Sequence, residues 1–176
     1  IDENSELLGG DQASTSGVVS TTGDAVTLSG TTISGFDTGV ESDAGTLSII
    51  DNATISGVSE GVWAYDTQLM INYAELDGGT SGVGLLLEDS GEALMYCVDL
   101  EGAAGMEIYN TDFRYNMGDV NAETAIFVSD SVGKIENLTW TSAVTTQIEL
   151  DQGAMVTSIG QDLTPSLLVV PTGTMI

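Results

Sequence analysis

Residues 33–44 read ISGFDTGVESDA and residues 55–66 read ISGVSEGVWAYD, the same Ile-Ser-Gly-x-x-x-Gly-Val frame after 22 residues. Carried outward, the frame sets starts at Gly17, Gly39, Gly61, Gly82, Gly105, Ala125, Gln147 and Leu167. The intervals are 22, 22, 21, 23, 20, 22 and 20. So steady a period marks a repeat architecture, one supersecondary unit stacked on itself.

The residue after each start is apolar every time: Val18, Val40, Val62, Val83, Met106, Ile126, Ile148 and Leu168. Two positions on stand Ser20, Ser42, Ala64, Leu85, Ile108, Val128, Leu150 and Val170, and the residues between are mixed and often charged. Alternation of that kind is a strand with one face buried. A second strand is predicted with Val26/Leu28, Leu47/Ile49, Leu69/Ile71, Leu94/Tyr96, Phe113/Tyr115 and Ile135 inward. A third carries Ile33, Ile55, Leu76, Leu100 and Val120. Gly, Asn, Asp, Ser and Thr fill the gaps, as turns require. The expectation is an all-β parallel β-helix of about eight coils of 20–23 residues, three short strands per coil, over residues 17–176. The glycine of the frame would supply a positive φ or a tight corner.

Leucine-rich repeats share the period but need an L-x-x-L-x-L-x-x-N run and usually a helical outer segment, and neither is present. Left-handed hexapeptide helices would show an 18-residue coil. From about residue 17 to 176 the coil length and inward pattern resemble the right-handed parallel β-helix superfamily, the pectin-lyase-like solenoids. That resemblance implies a choice between polysaccharide lyases or hydrolases and surface or adhesive proteins. A lyase of this kind needs an Arg or Lys base beside carboxylates that hold calcium, and only Arg114 and Lys134 are available. Asn110–Asp112 is a fragment of the hydrolase pattern, but the hydrolases' Gly-His-Gly is impossible in a chain without His. Coils of 20–23 residues also leave no room for long groove-walling loops.

The charge narrows the partners. Twenty-seven Asp and Glu against two basic residues give −25, which repels nucleic acid and anionic membranes and suits a salty medium. At 41% hydrophobic residues the chain still has enough apolar surface to fold. Cys97 is alone, so no intrachain disulfide forms. Asp43, Asp66, Asp89, Asn110, Asp130 and Asp151 follow the first strand of successive coils. Stacked in one turn, they would bond turn amides or form a calcium column; calcium is the only cofactor the chain suggests, and none is required. Sequons at Asn52 and Asn137 are candidate glycosylation sites. Trp63 and Phe127, outward on the first strand, are candidate contacts for glycans or a neighbouring domain, unless a lateral segment such as residues 1–16 covers them.

Residues 1–16 are expected to form a cap or a first irregular coil. The chain opens without Met and reads as an excised or processed piece. At the other end LLVVPTGTMI keeps the inward pattern for half a coil with nothing polar after it. That edge calls for further coils of the same protein or identical subunits stacked end to end. The functional expectation is therefore a non-enzymatic extracellular or cell-surface module, structural, filament-forming or adhesive. The alternative is a carbohydrate-binding or polysaccharide-degrading domain on the same scaffold.

Overall fold

The structure, a computed structural model, describes residues 1, 5–21, 23–164, 168–169 and 174–176, with the side chains of 10–14 left aside. Among these residues the chain is all-β and without helix, a parallel β-solenoid of about seven turns. Seven rather than eight follows from the count: eight first-strand segments enclose seven intervals. The eighth start, Leu167, lies outside the described residues, and only Leu168–Val169 pairs back onto Ile148–Glu149. At ~4.8 Å per rung the stack is about 34 Å tall.

The strands are β1 (Glu6–Ser20), β2 (Ala25–Ser29), β3 (Thr32–Asp77), β4 (Val83–Glu88), β5 (Glu92–Tyr109) and β6 (Asp112–Ser129). They continue as β7 (Val132–Trp140), β8 (Thr146–Asp151), β9 (Met155–Ile159), β10 (Leu168–Val169) and β11 (Thr174–Met175). Several run through corners without a break, so one strand contributes to more than one of the three faces. The first face stacks fully buried Val40, Val62, Leu85, Met106, Ile126 and Ile148. The third stacks Ile33, Ile55, Leu76, Leu100 and Val120, also fully buried.

Two details of the inward pattern differ from the expectation. In the fourth coil Val62 pairs with Leu85 and Glu60 with Val83, so the frame lands on Gly84 rather than Gly82. A shift of two residues keeps the parity, and Leu85 and Leu87 are both buried. On the second face the parity itself is reversed in that coil: Ala93 and Met95 point inward, while Leu94 and Tyr96 are 40% and 41% exposed. Residues 93–96, Ala-Leu-Met-Tyr, are apolar on both parities, so alternation alone cannot choose. Packing chooses. Phe113 stacks between Ala93 and Gly133 on adjacent rungs, and its ring needs small neighbours on both sides. A Cβ at Gly133 would stand 1.9 Å from the Phe113 ring.

The glycine of the opening frame is also there for space rather than for φ. At Gly39, Gly61, Gly84 and Gly105 a Cβ would come within 2.6 to 2.8 Å of the next rung's carbonyl oxygen, and none of the four has a positive φ. Left-handed residues sit elsewhere, at two corners: Ala44, Asp66, Asp89, Asn110, Asp130 and Gln152 between first and second faces, and Asp51, Asn52, Tyr73, Cys97, Met117 and Asn137 between second and third.

Immediately after four of these come buried hydroxyls: Thr67, Ser90, Thr111 and Ser131. The backbone N–H groups of Thr67, Ser90 and Thr111 donate to the hydroxyls of Ser90, Thr111 and Ser131 on the following rung, at 3.2, 3.0 and 2.9 Å. The four hydroxyls donate in turn to the carbonyls of Tyr65, Glu88, Tyr109 and Ser129, two residues back. Three of these corners thus satisfy an amide that the bend has turned away from strand pairing, where an orphan would cost about 1–3 kcal/mol.

Gly133→Ala is expected to destabilise the fold by about 1–3 kcal/mol through overpacking against Phe113, and so to lower the melting temperature. Adding Phe113→Leu should recover part of that loss, because the branched side chain can retreat where a ring cannot. Strictly additive losses in thermal denaturation would contradict the packing assignment.

Candidate functional site

The corner explains most of the acidic column. Asp66, Asp89, Asn110 and Asp130 share the left-handed position, a conformation that Asp and Asn tolerate better than other side-chain-bearing residues. Asp151 pairs in register with Ser129, one position earlier, and the left-handed residue of that coil is Gln152. Asp43 likewise precedes the left-handed Ala44. The six residues therefore do not form one column. Within it Asn110 interrupts the carboxylates, its Nδ2 donating to Asp89 Oδ1 at 2.8 Å. Neighbouring carboxylates one rung apart repel by about 1 kcal/mol in water, and an amide between them relieves this. Among the described residues no three His, Cys, Asp or Glu side chains group in a way that could hold a metal ion.

The Asn110–Asp112 fragment is divided by the same geometry. Asn110 turns the corner, Thr111 joins the buried hydroxyl ladder, and Asp112 points to solvent. The sequon asparagines Asn52 and Asn137 are both exposed, at left-handed positions with φ of 61° and 55°. Asn137 Nδ2 donates to Asn116 Oδ1 at 3.3 Å.

Trp63 and Phe127 are half-buried on the outer side of the first face, with Leu86 and Glu107 on the rungs between them. Each is already engaged: Trp63 Nε1 donates to Glu88 Oε2 at 2.8 Å, and the Phe127 ring lies 5.4 Å from Tyr109. Tyr109 donates to Glu107 Oε2, and its phenol is pushed up to about 12 by burial and the adjacent Glu107 carboxylate. The described part of the N-terminal segment does not cross this face. It continues the stack, β1 pairing in parallel with residues 32–42 of β3.

The two cations come together. Arg114 and Lys134 are register partners on adjacent rungs, both outward on the second face. Arg114 Nε is 3.6 Å from Glu92 Oε1, and Lys134 Nζ is 2.9 Å from Glu136 Oε1. A depression of about 530 Å³ lies here, with Glu92, Asp112, Arg114 and Lys134 on its rim. Each cation therefore faces a carboxylate, an arrangement that fixes the charges and lowers the local negative potential.

A second depression, of about 350 Å³, gathers Tyr73, Cys97 and Met117 at the next corner with Asp99 and Asp119. There Asp99 Oδ1 accepts the Asp119 backbone N–H at 2.9 Å. Tyr73 and Tyr96 meet edge to face at 5.8 Å, and the Tyr73 phenol is raised by neighbouring Cys97 and Tyr96.

Sequence reasoning located the cations but not the carboxylates paired with them, and it missed the hydroxyl ladder. The signal was present in the dipeptides Asp66-Thr67, Asp89-Ser90, Asn110-Thr111 and Asp130-Ser131. Comparison with family models, with curated proteins and with solved structures returned no match.

With −25 on the chain, screening should govern stability. The Debye length falls from ~30 Å at 0.01 M to ~3 Å at 1 M salt. The melting temperature is expected to rise markedly between low and near-molar NaCl. If the corner aspartates bind calcium, CaCl₂ at matched ionic strength should raise it further; equal effects leave screening alone. A melting temperature indifferent to salt would contradict the electrostatic account.

Proposed function

We propose that the chain is a non-enzymatic, extracellular or cell-surface solenoid, a structural, filament-forming or adhesive segment built like the right-handed pectin-lyase-like helices. The observation that carries this reading is the continuity of the stack. Among the described residues between Glu6 and Met175, rung pairs with rung in parallel. Among the described residues β1 pairs along one side only, with β3, and β11 along one side only, with β9. Such strand edges offer the same hydrogen-bonding surface that joins the rungs inside. Further coils or an identical subunit would extend the rod without new chemistry. An acidic coat suits a salty exterior, and exposed Asn52 and Asn137 are compatible with glycosylation there.

The alternative, a carbohydrate-binding or carbohydrate-cleaving domain, is favoured by one feature: Arg114 and Lys134 beside Glu92 and Asp112.

Electron microscopy of concentrated protein in near-molar salt tests the first reading. Rods are expected whose lengths step in units of the ~34 Å stack. Particles of one unit at every concentration would count against axial stacking. Release of unsaturated uronides from pectate or alginate, lost in Arg114→Ala, would establish the alternative; no release is expected.

A further inference from the structure

Exposed apolar side chains away from the terminal rungs concentrate on the second face and its corner. Met70, Leu94, Tyr96, Val132, Met155 and Ile159 all point outward there. The same face holds both cations of the chain. Between the Gln68 and Ile159 rungs its outward charges are Arg114 and Lys134 against Glu92, Asp112 and Glu136, a net −1. The other −24 of the chain's −25 lies elsewhere. This is the side on which two copies of so acidic a molecule can approach with least repulsion and most apolar area to cover.

The outward residues form columns. One runs Met70, Leu94, Arg114, Lys134. The next, two residues along each strand, continues from Tyr96 to Asn116 and Glu136. We propose that this face pairs with the same face of a second copy, about a two-fold axis parallel to the solenoid and between these two columns. Rotation about such an axis exchanges the columns and leaves each rung at its own height. Leu94 then meets the second copy's Tyr96, and Lys134 meets its Glu136, each contact made twice. Arg114 meets Asn116, an acceptor through its amide oxygen. Apolar thus faces apolar at Leu94 and Tyr96, and cation faces anion at Lys134 and Glu136.

The size of the face sets the strength. Five residues of strand by five rungs is about 16 by 24 Å, or roughly 400 Å² of flat face per copy. A standard interface covers about 800 Å² per partner, so the pair is weak and depends on concentration. Salt strengthens it by screening the remaining charge of the two chains.

Sedimentation of the full chain at low and near-molar NaCl tests the pairing. The expected result is one-chain mass at low salt and, as salt and concentration rise, association through a two-chain species that variants of this face weaken. Leu94→Asp should weaken the association at least about tenfold. Glu136→Lys should do the same by setting ammonium groups opposite each other, although it lowers the net negative charge. Lys134→Glu combined with Glu136→Lys should restore pairing, since the contacts are reciprocal and the net charge is unchanged. A single-chain mass under all conditions would overturn the proposal, as would a dimer insensitive to Leu94→Asp and Glu136→Lys. Open-ended growth insensitive to both variants would also overturn it, while upholding the axial stacking proposed above.

Discussion

A backbone that must bend through an exposed left-handed residue and re-enter the core at the very next one is the constraint from which the rest of this fold follows. The bend at Asp66, Asp89, Asn110 and Asp130 turns the next amide away from the strand ladder. In the dry interior that amide needs a partner, and the hydroxyl of Ser90, Thr111 or Ser131 on the following rung supplies it. The corner therefore ties each coil to the next in the same register as the strands. Register in turn decides which side chains form columns: Phe113 between Ala93 and Gly133 inside, and Arg114 beside Lys134 outside.

The same stacking concentrates like charges. A column of aspartates one rung apart is an electrostatic liability, and the molecule answers it locally. Asn110 breaks the corner column, and the Asp119 backbone N–H bonds to Asp99 on the third face. The second face carries the compensation by another route, with both cations and a strip of apolar side chains set among three carboxylates. In a chain of −25 such a face is a chemical exception, and exceptions on repeating surfaces are where partners are met.

How much of this the sequence declares follows from what repeats. The coil length, the third-face column Ile33, Ile55, Leu76, Leu100, Val120 and most of the first-face column are legible because one residue in two is consistently apolar. Leu94 and Tyr96 mislead because both parities of that strand are apolar, and the choice is made by Phe113 on the neighbouring rung, about 20 residues away. Gly84 rather than Gly82 occupies the frame because two glycines compete within three residues. The acidic column is half legible. Aspartate at a corner signals a turn, yet whether it is the left-handed residue depends on one position of register, which separates Asp66 from Asp151. The pairing of Lys134 with Glu136 and Arg114 with Glu92 is set by side-chain reach across a face, and no periodicity encodes it.

The hydroxyl ladder is tested most directly at Thr111, which accepts the Ser90 N–H and donates to the Tyr109 carbonyl. Urea unfolding of Thr111→Val beside Thr111→Ser separates hydrogen bonding from packing. Serine already fills this position at Ser90 and Ser131, so Thr111→Ser should lose only a buried methyl, about 1 kcal/mol. Thr111→Val keeps the shape but strands the Ser90 N–H, while the Tyr109 carbonyl keeps the Asp89 N–H; its loss should be larger than that of serine, within about 1–3 kcal/mol. A valine variant as stable as the wild type, or more stable than the serine variant, would contradict the account.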